Sequence, residues 1–167
     1  MYRSYTSLFA KQEPRSLSIG ICGGGVVGGG IVEILGNKRE YFEEMTGRTI
    51  LVKKICVKDL SKPRDFALPE GCSITTDYDD LLKDDSLDIL VEVMGGTTKA
   101  KDIVFEALKK GKNVITANKA LIAKCLPEIE STLTKVNANK ETNVEFRYEA
   151  AVCGGIPIIA SMQGDFV

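Results

Sequence analysis

A run of glycines between an apolar segment and an amphipathic segment constrains the fold of this chain most. Residues 23–28 read Gly-Gly-Gly-Val-Val-Gly, which fits the pattern G-x-G-x-x-G. The segment 18–22 before them is short and apolar, as a buried strand is. The residues after them recur at the spacing of one helical face: Val27, Ile31, Ile34 and Leu35. A strand that turns at once into a helix predicts layered α/β packing.

The rest of the chain repeats this alternation. Short runs rich in Val and Ile predict strands at 18–22, 50–57, 73–76, 87–93, 113–116 and 143–148. The run 87–93 is nearly continuous rather than alternating, so it predicts a strand buried on both faces. The pattern therefore predicts a Rossmann-type, doubly wound α/β fold, with a mainly parallel sheet and helices on both faces.

The helices between these strands carry their own start and stop signals. One helix ends at Gly111. Its apolar face consists of Ile103, Val104, Ala107 and Leu108. Another helix begins near Asn118, and we expect Pro127 to break or restart it. Its second half is marked by Leu126, Ile129, Leu133 and Val136. Pro157 marks the start of a last helix.

Composition limits the function classes. The 167 residues carry 22 basic and 23 acidic side chains, a formal charge of −1 that argues against nucleic acid as the main partner. The chain contains no histidine, which excludes Ser-His-Asp and Cys-His catalysis. Acid–base chemistry must then use Lys, Asp, Glu, Tyr or Cys.

The remaining sequence features predict a cytoplasmic protein that makes no membrane contact. Five cysteines occur without a C-x-x-C pair, so we expect reduced, buried thiols. The uncharged stretch 16–32 contains seven glycines and is shorter than the ~20 apolar residues of a membrane span. Residues 1–16 are polar and predict a flexible terminal segment; an organelle transit peptide is the alternative.

The glycine pattern, in this strand–helix context, predicts dinucleotide binding. Gly23 permits the tight turn, Gly25 lets the backbone approach a pyrophosphate, and Gly28 lets the helix pack on the strand. The helix N-terminus, with Gly24, Val26 and Val27, then presents its amides to the phosphates. The alternative is a flexible glycine run.

Two further strand ends contribute to the predicted cofactor site. Lys58 follows the second strand, with Lys62 and Arg64 close behind, so a basic cluster there would bind the 2′-phosphate of NADP. Asp59 would instead serve the ribose of NAD, and a solvated turn is the third possibility. Gly95 and Gly96 end the fourth strand at the edge where open α/β sheets bind ligands.

Two motifs later in the chain carry a family resemblance. Residues 116–120 read Thr-Ala-Asn-Lys-Ala and residues 149–157 read Glu-Ala-Ala-Val-Cys-Gly-Gly-Ile-Pro. Together with the glycine pattern and the segment 58–64, they resemble homoserine dehydrogenase from Leu17 onward. The resemblance implies reversible, NAD(P)-dependent reduction of aspartate 4-semialdehyde to L-homoserine, in the synthesis of threonine, methionine and isoleucine.

The resemblance also assigns roles to residues. Lys119 matches the family lysine at the cofactor and substrate, where an ammonium group would stabilise or protonate the developing alkoxide. The alternative is a surface lysine at a helix start. The resemblance further implies a sodium site, whose matching residues are Glu149, Val152, Gly154 and Ile156. Cys153 departs from the family pattern, and Glu149 could instead make ordinary hydrogen bonds.

Family members continue beyond the Ile-Pro segment into a substrate and dimerisation domain. We therefore expect a cofactor-binding domain at 17–155 and the start of a connection at 156–167, with the second domain absent from this chain and a homodimer in the full-length enzyme. The isolated chain should bind NADP(H) and turn over homoserine weakly. Two alternatives remain open: a dinucleotide-binding module without turnover, and another Rossmann dehydrogenase of a small semialdehyde.

Overall fold

The computed structural model describes residues 16–138 and 143–165, so the predicted flexible segment 1–16 lies almost wholly outside the described residues. Strands and helices alternate within these ranges. The strands are β1 (Leu17–Cys22), β2 (Ile50–Cys56), β3 (Ser73–Thr75), β4 (Ile89–Glu92), β5 (Asn113–Thr116) and β6 (Phe146–Arg147). The helices are α1 (Val26–Asn37), α2 (Arg39–Thr46), α3 (Asp79–Leu82), α4 (Thr98–Lys109), α5 (Lys119–Val136) and α6 (Ile158–Asp165).

All six strands belong to one parallel sheet, in the order β3-β2-β1-β4-β5-β6. The chain winds outward from β1 to β3 and then crosses back to β4, so the strand order reverses between β1 and β4. This arrangement confirms the predicted Rossmann-type fold. It also places the ends of β1, β4 and β5 side by side, at the reversal point where such sheets bind ligands.

The two faces of the sheet bury separate apolar clusters. On one face, Leu90 and Val114 pack with Ile103, Leu108 and Leu121 from α4 and α5. On the other face, Ile21, Ile55 and Val91 pack with Val32 from α1. Layers on both faces make the central strands almost fully buried, as the continuous apolar run 87–93 predicted.

The predicted apolar face of α1 is only half correct. Ile31 and Leu35 pack against the core, but Val27 and Ile34 are each 53% exposed. Instead, Gly28, Gly29 and Val32 are the buried residues of the helix. The helix lies so close to the sheet that glycine, not a branched side chain, fits at the contact. The ring of Phe66 packs directly against Gly29.

The expectation that Pro127 breaks or restarts the helix is wrong, because α5 is continuous from Lys119 to Val136. Pro127 lies on the exposed face of α5, whereas Cys125 and Ile129 on either side are buried in the core. Proline removes one backbone donor, and the carbonyl left without it belongs to the exposed residue Ala123. Packing on the buried face therefore maintains the helix.

Smaller differences concern element ends and cysteines. The sixth strand pairs only at Phe146–Arg147 rather than over 143–148, and α6 begins directly after Pro157, as predicted. All five cysteines are free, but Cys153 is exposed and Cys72 is half-buried, so the prediction of buried thiols holds only for Cys22, Cys56 and Cys125. Within the described residues, no helix combines the length and apolarity needed to cross a bilayer.

Candidate cofactor-binding site

The turn from β1 into α1 is fixed to both neighbours of β1. Gly23 has a φ of +118°, and a Cβ at this position would lie 2.8 Å from the carbonyl oxygen of Val93, just after β4. The Gly23 amide donates to the carbonyl oxygen of Cys56, at the end of β2, at 2.9 Å. Glycine is the residue that accommodates this φ and this close approach.

The start of α1 is closely packed on one side and open on the other. A Cβ at Gly28 would overlap the carbonyl oxygen of Gly23, so helix and turn pack backbone against backbone. Around Gly25, in contrast, no atom lies within 4 Å of the Cβ position, and the side chain of Val26 is 93% exposed.

The same helix end carries no competing negative group. Among residues 16–138 and 143–165, no side chain caps the start of α1, and its first turn contains no acidic residue. Free amides and the helix dipole favour an anion at such an end. The open space at Gly25 therefore fits a phosphate group of a dinucleotide, which can reach the backbone without displacing a side chain.

The loop that follows β2 folds back onto this turn. Arg64 lies beside Gly24, whose Cβ position is 3.2 Å from the Arg64 Nε atom. The guanidinium donates through Nη2 to the carbonyl oxygen of Asp59 at 2.7 Å and through Nη1 to that of Lys62. Its Nε is buried and makes no hydrogen bond within the described residues. Arg64 therefore fixes the loop against the glycine turn.

The other polar side chains of this loop lie at the surface. The ammonium groups of Lys58 and Lys62 are exposed and form neither a hydrogen bond nor an ion pair within the described part of the chain. The Asp59 carboxylate accepts hydrogen bonds from the hydroxyl and the amide of Ser61, at 2.7 and 2.8 Å. These hydrogen bonds, with smaller contributions from Arg64 and Lys62, lower the pKa of Asp59.

The ends of β4 and β5 form the second half of the site. Gly95 and Gly96 follow β4 with φ values of +73° and +75°. The Asn118 side chain donates from Nδ2 to the carbonyl oxygen of Gly96 at 2.6 Å. Lys119 is the next residue, the first of α5, and its side chain is exposed. The structure therefore brings Lys119 and the glycine pair to one sheet edge.

A buried carboxylate lies beneath the residues that follow β4 and β5, and the sequence analysis did not identify it. Glu92, the last residue of β4, is completely buried and accepts hydrogen bonds from the amides of Met94 and Gly95 and from the hydroxyl of Thr116. The signal in the sequence is a glutamate inside an otherwise apolar strand. Such a residue is rare unless its charge is fully hydrogen-bonded.

Two cysteines lie under the glycine turn, at the paired ends of β1 and β2. Burial raises the pKa of the Cys22 thiol far above its usual value, and nearby Cys56 and Glu92 add to the shift. Burial also raises the pKa of Cys56, with smaller contributions from Asp77 and Asp80. Both thiols therefore stay protonated and serve as apolar packing groups rather than nucleophiles.

The predicted sodium residues lie in the turn between β6 and α6. Glu149 caps α6, because its carboxylate accepts the amides of Ile159 and Ala160 at 2.9 and 3.0 Å. The carbonyl oxygens of Glu149 and Cys153 accept the amides of Val152 and Ile156, and that of Ile156 accepts the amide of Ile158. This arrangement fits the alternative of ordinary hydrogen bonds for Glu149. Within the described residues, no three His, Cys, Asp or Glu side chains group as metal ligands.

Comparisons with family models, known sequences and solved structures all identify the same family. Residues 23–149 match the family model described as homoserine dehydrogenase, NAD binding domain. The homoserine dehydrogenase of Bacillus subtilis is 34% identical over 149 residues, which are 89% of this chain and 33% of that protein. The chain thus spans about a third of the length of such relatives.

Solved structures agree with the sequence matches. The homoserine dehydrogenase of Thiobacillus denitrificans superposes with a TM-score of 0.81 at 36% identity, covering 90% of this chain and 33% of that one. A hyperthermophilic archaeal homoserine dehydrogenase in complex with NADPH shares the fold, with a TM-score of 0.65 at 24% identity over 88% of this chain and 48% of that one. The resemblance found in the sequence is confirmed: the chain belongs to the homoserine dehydrogenase family and contains its NAD-binding domain.

Proposed function

We propose that this chain supplies the cofactor-binding part of an NAD(P)-dependent homoserine dehydrogenase, which interconverts L-aspartate 4-semialdehyde and L-homoserine. The open amide end of α1 at Gly25, on the same sheet edge as Lys119, carries the proposal. Residues 17–155 would form the dinucleotide-binding domain, and 156–167 would begin the connection to a substrate domain. We further propose that the full-length enzyme is a homodimer in the cytoplasm. It would act in the synthesis of threonine, methionine and isoleucine.

The proposed cofactor contacts divide between the two halves of the site. The backbone at Gly23, Gly24, Gly25, Val26, Val27 and Gly28 would hold the diphosphate, and Gly95 and Gly96 would contact the nicotinamide half. Lys58 would bind a 2′-phosphate, since its ammonium group is exposed at the end of β2 and is not engaged elsewhere in the described chain. Arg64 adds positive charge beside Gly24. We therefore propose NADP over NAD, in line with the archaeal relative solved with NADPH.

Lys119 is the proposed group for proton transfer. The cofactor, when bound, supplies the hydride. The Lys119 ammonium group, at the start of α5, would stabilise the negative charge that develops on the substrate oxygen or donate a proton to it. Its exposure at the sheet edge leaves it accessible to a small-molecule substrate.

Sodium binding is a separate proposal for the turn 149–156. The carbonyl oxygens of Val152 and Gly154 accept no hydrogen bond within the described residues, so they are the available ligands for a hard cation. Glu149 would complete the site only if its hydrogen bonds to α6 rearrange. Ile156 would contribute a carbonyl oxygen that also accepts the amide of Ile158. Sodium-dependent stabilisation of the chain, lost in Glu149→Gln, would support binding; equal stability in sodium and in a large organic cation would contradict it.

A titration with two cofactors tests the phosphate contact. NADPH and NADH are added separately, and the fluorescence of the reduced nicotinamide is followed, which the chain, having no tryptophan, does not obscure. We expect Lys58→Ala to weaken NADPH binding by about tenfold, because one charge-assisted hydrogen bond is lost, and to leave NADH binding unchanged.

Lys38→Ala is the matched control, because Lys38 is also exposed but follows the opposite end of α1. We expect it to change neither affinity. Equal loss of NADPH and NADH binding in Lys58→Ala, or no loss of either, would contradict the proposed 2′-phosphate contact and favour a solvated turn at Lys58.

A further inference from the structure

The most unusual polar group in the described chain is the carboxylate of Glu92. It is completely buried at the end of β4, a central strand of the sheet. Burying an ionised carboxylate is strongly unfavourable unless hydrogen bonds replace those it makes to water. An apolar side chain would fill the same position without the loss of hydration. The hydrogen bonds of Glu92 therefore indicate why a carboxylate occupies this position.

Within the described residues, every hydrogen bond to the Glu92 carboxylate comes from a donor at the cofactor-binding edge. Oε1 accepts the amides of Met94 and Gly95, at 3.0 and 3.3 Å, and Nδ2 of Asn118, at 3.5 Å. Oε2 accepts the hydroxyl of Thr116 at 2.7 Å. Two donors thus belong to the loop after β4. The other two are Thr116, the last residue of β5, and Asn118, which precedes α5. An ionised carboxylate, which only accepts, matches this set of four donors.

The two loops are joined to each other as well. The Thr116 hydroxyl oxygen accepts the Asn118 amide at 3.0 Å. Asn118 in turn donates to the Gly96 carbonyl oxygen, and its Oδ1 accepts the Leu121 amide at 3.1 Å, which caps the start of α5. Glu92, Thr116 and Asn118 thus form one buried network that ends at Lys119, the neighbour of Asn118.

We propose that Glu92 is a positioning residue, which fastens the Gly95–Gly96 loop to the start of α5 and so fixes Lys119 beside the bound cofactor. The inference rests on the proposed function, because it assumes that NADP(H) binds at this edge. Glu92 itself is too deeply buried to touch the cofactor, so it acts through the two loops.

Amide hydrogen exchange in the chain without cofactor tests the fastening of the loops. In Glu92→Gln, one acceptor oxygen becomes an NH₂ group that faces the donors. We expect the amides of Met94, Gly95 and Leu121 to exchange at least about tenfold faster, while Gly29, which bonds to Gly25 in α1, keeps its rate. Acceleration of all amides together would show a general loss of stability and overturn the proposal.

Asp88→Asn is the matched control. Asp88 precedes the same strand at the opposite edge of the sheet, and its carboxylate accepts the Ser18 amide at 2.8 Å. This variant makes the same chemical change, but the amides of Gly95 and Leu121 should keep their exchange rates. Should Glu92→Gln fail to fold, Thr116→Val, which keeps the side-chain volume and removes the hydroxyl donor, must show the same local acceleration.

An NADPH titration then tests the positioning. Because the loop at Gly95 and the start of α5 would lose a charged acceptor, we expect at least about tenfold weaker NADPH binding in Glu92→Gln. Asp88→Asn should leave the affinity unchanged. Unchanged affinity in Glu92→Gln would overturn the positioning role. If the unaltered chain binds no NADPH, the proposed function fails, and the exchange rates still decide whether Glu92 fastens the loops.

Discussion

At the scale of single residues, the glycines of α1 differ in what surrounds them. A Cβ at Gly28 would overlap the Gly23 carbonyl oxygen, whereas a Cβ at Gly30 meets no atom within 4 Å. We expect Gly28→Ala to lower the free energy of unfolding by about 1–3 kcal/mol, the usual cost of overpacking. Gly30→Ala should raise it by about 0.5–1 kcal/mol, because alanine favours a helix interior.

Urea denaturation of the two variants measures both effects. Equal stability changes in the two variants would mean that α1 does not pack on the turn as described. The pair also controls for helix propensity, since both substitutions add the same methyl group to the same helix.

Some residue roles could be predicted from the sequence and others could not. The spacing of Gly23 and Gly28 predicted a tight turn and close packing, because these demands arise within one short segment. The nearly continuous apolar run 87–93 predicted a strand buried on both faces, but it did not show which groups would hydrogen-bond to Glu92. The contacts of Arg64 depend on how its loop folds back onto Gly24, and no local pattern encodes that tertiary contact.

At the scale of elements, the connection between α3 and β4 is fastened to β2 by an ion pair. Lys54 Nζ lies 2.7 Å from Asp84 Oδ2, and the buried Lys112 ammonium donates to the Asp84 carbonyl oxygen at 2.6 Å. Hydrogen bonds from Lys54 and then Ser86 hold the pKa of Asp84 well below its usual value. The resulting stability is therefore present above the unfolded pKa of about 4 and is lost as the pH falls through the lower, folded pKa.

Asp84→Asn should lower the free energy of unfolding at pH 7 by about 0.5–1 kcal/mol, the range for pairs that solvent still screens. The difference from the unaltered chain should shrink as the pH falls below about 4. Asp79→Asn, which removes the exposed pair Asp79–Lys83, should lower the free energy of unfolding by less than Asp84→Asn does. A difference that stays constant down to the lowest pH at which the chain folds would contradict this account.

Element boundaries show where local signals fail. Pro127 predicted a break in α5, but buried neighbours on the opposite face maintain the helix. The helix α2 was not predicted. None of its residues is buried, and its apolar side chains Tyr41 and Met45 are exposed. Strands in the interior, in contrast, were all found, since burial on both faces demands continuous apolar runs.

At the scale of the whole molecule, strand order connects the fold to its proposed function. The reversal between β1 and β4 brings the glycine turn, the Gly95–Gly96 loop and Lys119 to one edge. The alternation of strands and helices predicted the parallel sheet, because parallel strands need long crossover connections, which are usually helices. The buried network from Glu92 to Asn118 could not be predicted, because it joins side chains that meet only when β4 and β5 pair.

The central claim is that the open backbone at Gly25 receives the diphosphate of NADP(H). Gly25→Val tests it directly: Gly25 has an ordinary extended backbone and no atom near its Cβ position, so the fold should tolerate valine while the phosphate space is filled. Gly36→Val, equally unobstructed near the other end of α1, is the control. The measurement is the NADPH dissociation constant of each folded variant. We expect NADPH binding to weaken by at least about tenfold in Gly25→Val alone. Unchanged NADPH binding by Gly25→Val would show that the diphosphate does not lie at Gly25.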